Sequence, residues 1–362
     1  MKLLLTIYFF IAVWTSAGSG FVRGRNLDGG LYFKTVGVGD NRITMLALPS
    51  AYSWAFSPEL SLDAVAAPAF ALSSLEESSV FRLAGTKVRA AYNYKDMALG
   101  TFGIKIPTGL NQFSSSQIVT VGNASTRQLN IRYADLFNAL DISAGVASSI
   151  PFENIGPGDL SLGLGLSTLF KGAYQPLEEA DLKYNPANEF NIALAGEYVF
   201  IAADRQITAL LDLGFTIYGK SEGTGGEEIN PGNKFNWALS GNTKLLPEIP
   251  VNVRLANYRI GAPEVEKVGE TGKAASDLVF SVKAGLPVLP DYSSYGTLTL
   301  AGYEGGGALS YGDAFIFGIG GGGSMRLNEN MFARAGLGLD FGSLEDDGIF
   351  GLRIDGGVSY RF

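Results

Sequence analysis

From about residue 28 onward, hydrophobicity along this chain alternates with period two, segment after segment. In Met331 to Phe341 the odd positions read Met331, Ala333, Ala335, Leu337, Leu339 and Phe341, and the even ones Phe332, Arg334, Gly336, Gly338 and Asp340. The last segment repeats the pattern in the other register. There Phe350, Leu352, Ile354, Gly356, Val358, Tyr360 and Phe362 oppose Gly351, Arg353, Asp355, Gly357, Ser359 and Arg361. Leu160 to Ser167, Phe190 to Phe200 and Gln206 to Ile217 alternate likewise. Successive side chains of a strand point to opposite faces, so each segment has one apolar face and one polar or small face. Such segments run to about 10–14 residues, longer than the roughly 5–6 usual in soluble domains and close to the roughly 9–11 that cross a bilayer at a tilt.

Composition narrows the choice. Apolar residues make up 46% of the chain, yet no internal run reaches the roughly 18–20 that a membrane helix needs. The 48 glycines and 12% aromatics suit a sheet-rich chain with many turns. Cysteine and histidine are both absent. That removes disulfides, Ser-His-Asp triads, Cys-His pairs and His-ligated metals. A Ser-Lys or paired-carboxylate inventory remains, but no enzyme activity and no cofactor are expected. A net charge of −8 offers no basic footprint for nucleic acid.

Met1-Lys2, the apolar run Leu3 to Trp14 and the small residues Thr15 to Gly20 read as a cleaved export signal. The alternative is a buried N-terminal helix. Residues 21–362 carry no linker or composition break and are expected to form one domain.

Short turns are expected at Ala202-Ala203-Asp204, Pro247-Glu248, Pro290-Asp291 and Asn328-Glu329-Asn330. Longer polar loops are expected at about 172–187, 220–232 and 261–275, with Gly342 to Gly348 a smaller one. Short turns at one end and long loops at the other belong to outer-membrane barrels, whose strand number is even in bacterial single chains. The strand-like segments count to 17, and alternation loses phase between about 107 and 160. Either Gln117 to Val121 is an extra strand, or one segment there is not a barrel strand. The expectation is an all-β, antiparallel up-and-down transmembrane barrel of about 16 strands, with 14–18 open.

Val358-Ser359-Tyr360-Arg361-Phe362 resembles the C-terminal signature of Gram-negative outer-membrane proteins, a final aromatic preceded by alternating apolar residues. The resemblance implies recognition of Phe362 by the barrel-assembly machinery, location in the cell outer membrane, and contact with its lipid and lipopolysaccharide. Leu99 to Gly109, ending in Lys105-Ile106-Pro107-Thr108-Gly109, resembles segments of barrels for hydrophobic compounds, the phenol-degradation-associated and fatty-acid-transporter groups. Taken by themselves, these residues read first as a generic strand-to-turn ending. The fatty-acid group carries an Asn-Pro-Ala motif near its mature start, whereas here Asn185 to Ala187 falls mid-chain.

If the apolar faces meet lipid, the opposite faces line the interior. They carry Lys87, Arg89, Lys105, Arg132, Asp141, Glu197, Asp212, Lys234, Arg254, Asp277, Lys283, Arg334, Asp340, Arg353 and Asp355. These charges either tune a watery lumen or pair across strands and stiffen it. Arg334 and Arg353, on neighbouring C-terminal strands, would bias a pore toward anions. Gly320 to Gly323 lack the following helix of a phosphate loop and read as close packing or lumen space. The acidic clusters Glu178, Glu179, Asp181; Glu227, Glu228; and Glu345, Asp346, Asp347 read as solvated loops, with Ca²⁺ or Mg²⁺ binding the other possibility. The functional expectation is passage of an unidentified small solute or hydrophobic compound; the alternative is a non-transporting surface barrel. A stretch folded into the lumen, from 19–30 or 107–126, would argue against an open pore.

Overall fold

The computed structural model describes residues 25–74, 77–109, 112–132, 139–178, 182–223, 228–246, 249–265, 273–289, 291–305 and 312–362. The expected export signal and the turn residues Pro247, Glu248 and Pro290 lie outside them. In chain order the strands are β1 (Arg25–Val38), β2 (Asn41–Ala47, resuming as Ser50–Ala55), β3 (Leu60–Ser73), β4 (Ser78–Tyr94) and β5 (Ala98–Ile106). A helix, α1 (Ser115–Ala124), precedes β6 (Asp141–Ile155), β7 (Gly158–Phe170), β8 (Glu189–Ala202), β9 (Arg205–Tyr218) and β10 (Lys234–Leu246). The remainder are β11 (Ile249–Ile260), β12 (Ala275–Leu289), β13 (Tyr292–Glu304), β14 (Ala314–Arg326), β15 (Met331–Leu344) and β16 (Asp347–Arg361).

Each strand pairs antiparallel with the next, and β16 returns to β1 from Val38↔Ile349 to Asn26↔Arg361, which closes the barrel. The sheet has 17 strand segments, but both halves of β2 lie between β1 and β3, so the barrel has 16 strands. The break falls at Leu48-Pro49, where proline has no N–H for the ladder. The Gly30 N–H instead reaches the Pro49 carbonyl at 2.8 Å, and the Leu48 N–H the Pro68 carbonyl at 2.8 Å.

Two places where sequence alternation falters have physical causes. Gln117 to Val121 is not an extra strand; it lies within α1. In β4 the register shifts between Val65 and Ala67 of its partner, a bulge at Gly85-Thr86. It moves the inward set from Ser78 and Val80 to Lys87, Arg89 and Ala91.

Strand direction gives one end only short connections among the described residues, 56–59, 95–97, 156–157, 203–204 and 327–330, while the tight turns 39–40 and 345–346 lie at the other end. Ala203 and Asp204, at the first end, have φ +49° and +59°, the geometry of a two-residue hairpin turn. The other end holds the long connections 107–140, 171–188, 219–233, 261–274 and 305–313. Gly342 to Gly348 is not a loop: strands continue to Leu344 and resume at Asp347. Short pieces of three long connections, Tyr184–Asn185, Ser221–Gly223, Glu228–Asn230 and Glu264–Val265, pair into a small sheet over this end. The tight β1–β2 turn needs Gly39, at φ +55°, where a Cβ would meet Asp347 Oδ1 at 2.9 Å. Gly39→Ala is expected to lose about 1–2 kcal/mol in the denaturant midpoint of the folded barrel. Gly348→Ala, with nothing within 4 Å, serves as the unstrained control.

The outward faces are apolar and exposed, among them Leu164, Leu194, Leu211, Leu239, Leu278 and Leu337 at mid-strand. Phenylalanines such as Phe190, Phe215, Phe235, Phe315, Phe341 and Phe350 ring the long-loop end, all exposed. Tyr92, Tyr94 and Phe152 stand exposed at the short-turn end. The outward Tyr198 and Phe200 stack there at 5.3 Å, and Tyr360 and Phe362 meet edge-on at 4.8 Å. Such a surface suits lipid between two aromatic girdles, and closed barrels of this build are outer-membrane proteins with short turns on the periplasmic side. Among the described residues no helix is long and apolar enough to cross a membrane.

Candidate functional site in the barrel lumen

Sixteen strands enclose an interior too wide for wall side chains alone to fill, since eight already leave room only for side chains. What fills part of it comes from the 107–140 connection. Ser114 begins α1 with a capping box: its hydroxyl accepts from the Gln117 N–H at 3.4 Å, and Gln117 Oε1 accepts from the Ser114 N–H at 3.1 Å. The helix packs inward, with Phe113, Ile118 and Val121 against Val80 of β4. Thr120 is fully buried and its hydroxyl pairs with that of Ser78.

Beyond the helix the chain crosses the lumen. Ala124, Leu129 and Ile131 join an apolar cluster with Tyr32, Val36, Ile43, Met45, Ile316 and Ile349, inward residues of β1, β2, β14 and β16. Lys34, 1% exposed, donates to Asp340 of β15 at 2.7 Å and to the Asn130 carbonyl at 3.4 Å. The Arg132 N–H donates to the Tyr32 hydroxyl at 3.1 Å. On the far side Arg127 forms an ion pair with Asp277 of β12 and lies 3.4 Å from the Tyr258 ring centroid. Burial pushes the Arg127 guanidinium pKa down and Asp277 opposes the shift. One segment, 112–132, therefore bridges opposite walls. Of the two stretches expected as possible plugs, residues 25–30 are instead wall, part of β1.

Register carries the inward face around the barrel, because directly paired residues share a face. Tyr32 pairs with Asp355, Asp355 with Gly336, Gly336 with Gly322, and Gly322 with Tyr295. On this basis Lys87, Arg89, Lys105, Glu197, Asp212, Arg254, Lys283, Arg334, Asp340, Arg353 and Asp355 stand on the inward side of their strands. Arg132 does not belong to the wall; it sits on the crossing segment, because the described residues of the 107–140 connection form no barrel strand.

Several of these charges are brought together. Arg89 pairs with Asp63 at 2.6 Å, Lys105 with Asp141 at 3.4 Å, and Arg353 with Asp355 at 3.3 Å. Lys283 lies 4.0 Å from the Tyr295 ring centroid. Lys87, Arg254, Lys283 and Arg334 face inward yet remain exposed, whereas the inward carboxylates Glu197, Asp212, Asp340 and Asp355 are half-buried. The glycines of β14 and β15 make room for their neighbours: a Cβ on Gly322 would meet the Tyr295 hydroxyl at 2.7 Å, and one on Gly336 the Asp355 carboxylate at 2.7 Å. Of the acidic loop clusters, Glu228 pairs with Lys220 and Glu345 accepts from the Gly312 N–H at 2.8 Å. Glu179, Asp181 and Glu227 lie outside the described residues, among which no acidic group of metal-binding arrangement occurs.

Sequence reading missed Lys34, Asp63 and Arg127. Lys34 was legible in the alternation Tyr32-Lys34-Val36 against Leu31-Phe33-Thr35, and the helix in Ser114-x-x-Gln117. Arg127 had no such signal, since its partner is distant in the chain.

No family model matches the chain, and neither does any curated protein. Solved structures with a similar outline include a bacterial polysaccharide outer membrane secretin, 10% identical, covering 94% of this chain and 99% of that one, TM-score 0.48. Others are the CymD monoaromatic hydrocarbon channel, 9% identical (94% and 89% covered, TM-score 0.42), and an outer membrane channel of Pseudomonas putida F1, 11% identical (96% and 99% covered, TM-score 0.42). Likenesses this distant carry no argument about function.

Proposed function

We propose that the protein is a narrow diffusive channel for small solutes across the outer membrane, favouring anions. One observation carries this reading. Lys87, Arg254, Lys283 and Arg334 point into an enclosed barrel and are nevertheless exposed, so the interior beside the crossing segment admits water. The small inward residues Ser143, Gly145, Ala147 and Ser149 of β6 are half-buried, while Tyr32, Lys34 and Val36 of β1 are at most 2% exposed. The segment thus covers the β1 wall and leaves a passage along β6. Exposed cations there, with Asp340 and Asp355 already paired, weight that passage toward a positive potential.

The test is single-channel recording of the folded barrel in a planar bilayer, after its heat-dependent gel mobility shift establishes folding. Steady ohmic steps are expected, with a reversal potential in a KCl gradient set by chloride. Neutralising Lys87, Arg254 and Lys283 together to glutamine is expected to move that potential toward cation preference. Replacing Arg353, already paired with Asp355, is expected to move it less. Silence from a folded barrel would overturn the channel reading and leave a surface-binding role.

A further inference from the structure

Where β8 to β13 reach the long-loop end, their inward residues form a cluster that the channel reading leaves unused. Lys171, just past β7, pairs with Glu189 at 2.6 Å and lies 5.7 Å from the Tyr218 ring centroid. Arg127 pairs with Asp277 and covers Tyr258. Lys234, the first residue of β10, has its ammonium 4.9 Å from the same Tyr218 ring. Among the described residues no carboxylate lies within ion-pair reach of Lys234, and the buried Tyr218 hydroxyl has no hydrogen-bond partner.

An ammonium carries three N–H donors and a phenol one. The Tyr218 hydroxyl, withdrawn from water without an acceptor, costs free energy, and the half-buried Lys234 ammonium beside it lacks a carboxylate, so an anionic acceptor from outside the chain is favoured. The charge count among the described residues sets its valence: Lys171, Lys234 and Arg127 stand beside Glu189 and Asp277, which leaves one positive charge over. We infer that Lys234 and Tyr218 form a binding site for a small organic carboxylate at the long-loop mouth of the lumen. One carboxylate oxygen takes the ammonium and the other the phenol, both charge-assisted bonds. The role of this site as a first station for entering anions rests on the channel reading; its existence does not.

The probe is trifluoroacetate, followed by fluorine NMR line broadening with the full barrel folded in detergent, against neutral trifluoroacetamide. Saturable broadening is expected for the anion alone. Lys234→Gln is expected to weaken it by about tenfold and Tyr218→Phe by several-fold, as loss of a charged hydrogen bond implies. Lys244→Gln, at the other end of the same strand, is expected to leave it unchanged. The heat-dependent gel shift of each variant establishes that it has folded. Equal broadening by the amide, or undiminished broadening in a folded Lys234→Gln barrel, overturns the site. A barrel that binds trifluoroacetate but stays silent in bilayers overturns the channel reading and upholds the site. Steady conductance without carboxylate-selective broadening overturns the site alone.

Discussion

Replacing residues 113–132 by a short glycine-serine linker is expected to raise single-channel conductance several-fold. The segment crosses from Val80 on β4 to Asp277 on β12, so it narrows the lumen at the level where it passes. Strands β5 and β6 already pair from Ala98↔Ser148 to Lys105↔Asp141, so a linker joins neighbouring strand ends and the ladder survives. Shortening the connection adds little closure cost. The excision exposes Tyr32, Val36, Ile43 and Met45 to lumen water, so some loss of stability accompanies the gain in current. Bilayer recordings of both forms decide the matter. Unchanged conductance would mean that solutes do not pass the segment.

The largest single-residue effect on stability is expected for Asp340→Ala. Lys34 is 1% exposed and Asp340 is its ion-pair partner at 2.7 Å. Removing the carboxylate strands an ammonium beside an apolar cluster, left among the described residues with the Asn130 carbonyl at 3.4 Å. Breaking a buried pair from one side costs about 3–5 kcal/mol, whereas replacing both partners by apolar residues is often neutral. Asp340→Ala is therefore expected to lower the urea midpoint sharply, and Lys34→Met with Asp340→Leu to recover most of it. A wild-type midpoint for Asp340→Ala would show that Lys34 finds water inside the barrel.

The barrel itself was legible because its signal is repeated. Strands that cross a membrane alternate, and the apolar face of strands such as Leu160 to Phe170 recurs around the chain. The turn at Ala203-Asp204 and the inward side of Arg254 or Asp355 followed from the same rule. Where the rule is suspended, legibility fails for identifiable reasons. The bulge at Gly85-Thr86 shifts phase by one residue, and no local composition announces it. Arg132 reads like a strand residue because Ile131 and Tyr133 flank it, yet it lies on the crossing segment. The contacts that make the site, Lys34 with Asp340 and Arg127 with Asp277, join residues far apart in sequence. Strand periodicity says which face a residue occupies but not which distant group meets it there.

The crossing segment also bears on how the molecule is put together. The seam joins β1 to β16, the two strands farthest apart along the chain, and pairings of such separation form slowly. Residues 124–132 touch Tyr32 and Lys34 on one side of that seam and Ile349 on the other, with Leu344 beside it. A segment held on both lips ties them together: Leu129 and Ile131 pack across the seam, and Asn130 and Arg132 bond to β1, so the closure carries contacts beyond its own ladder.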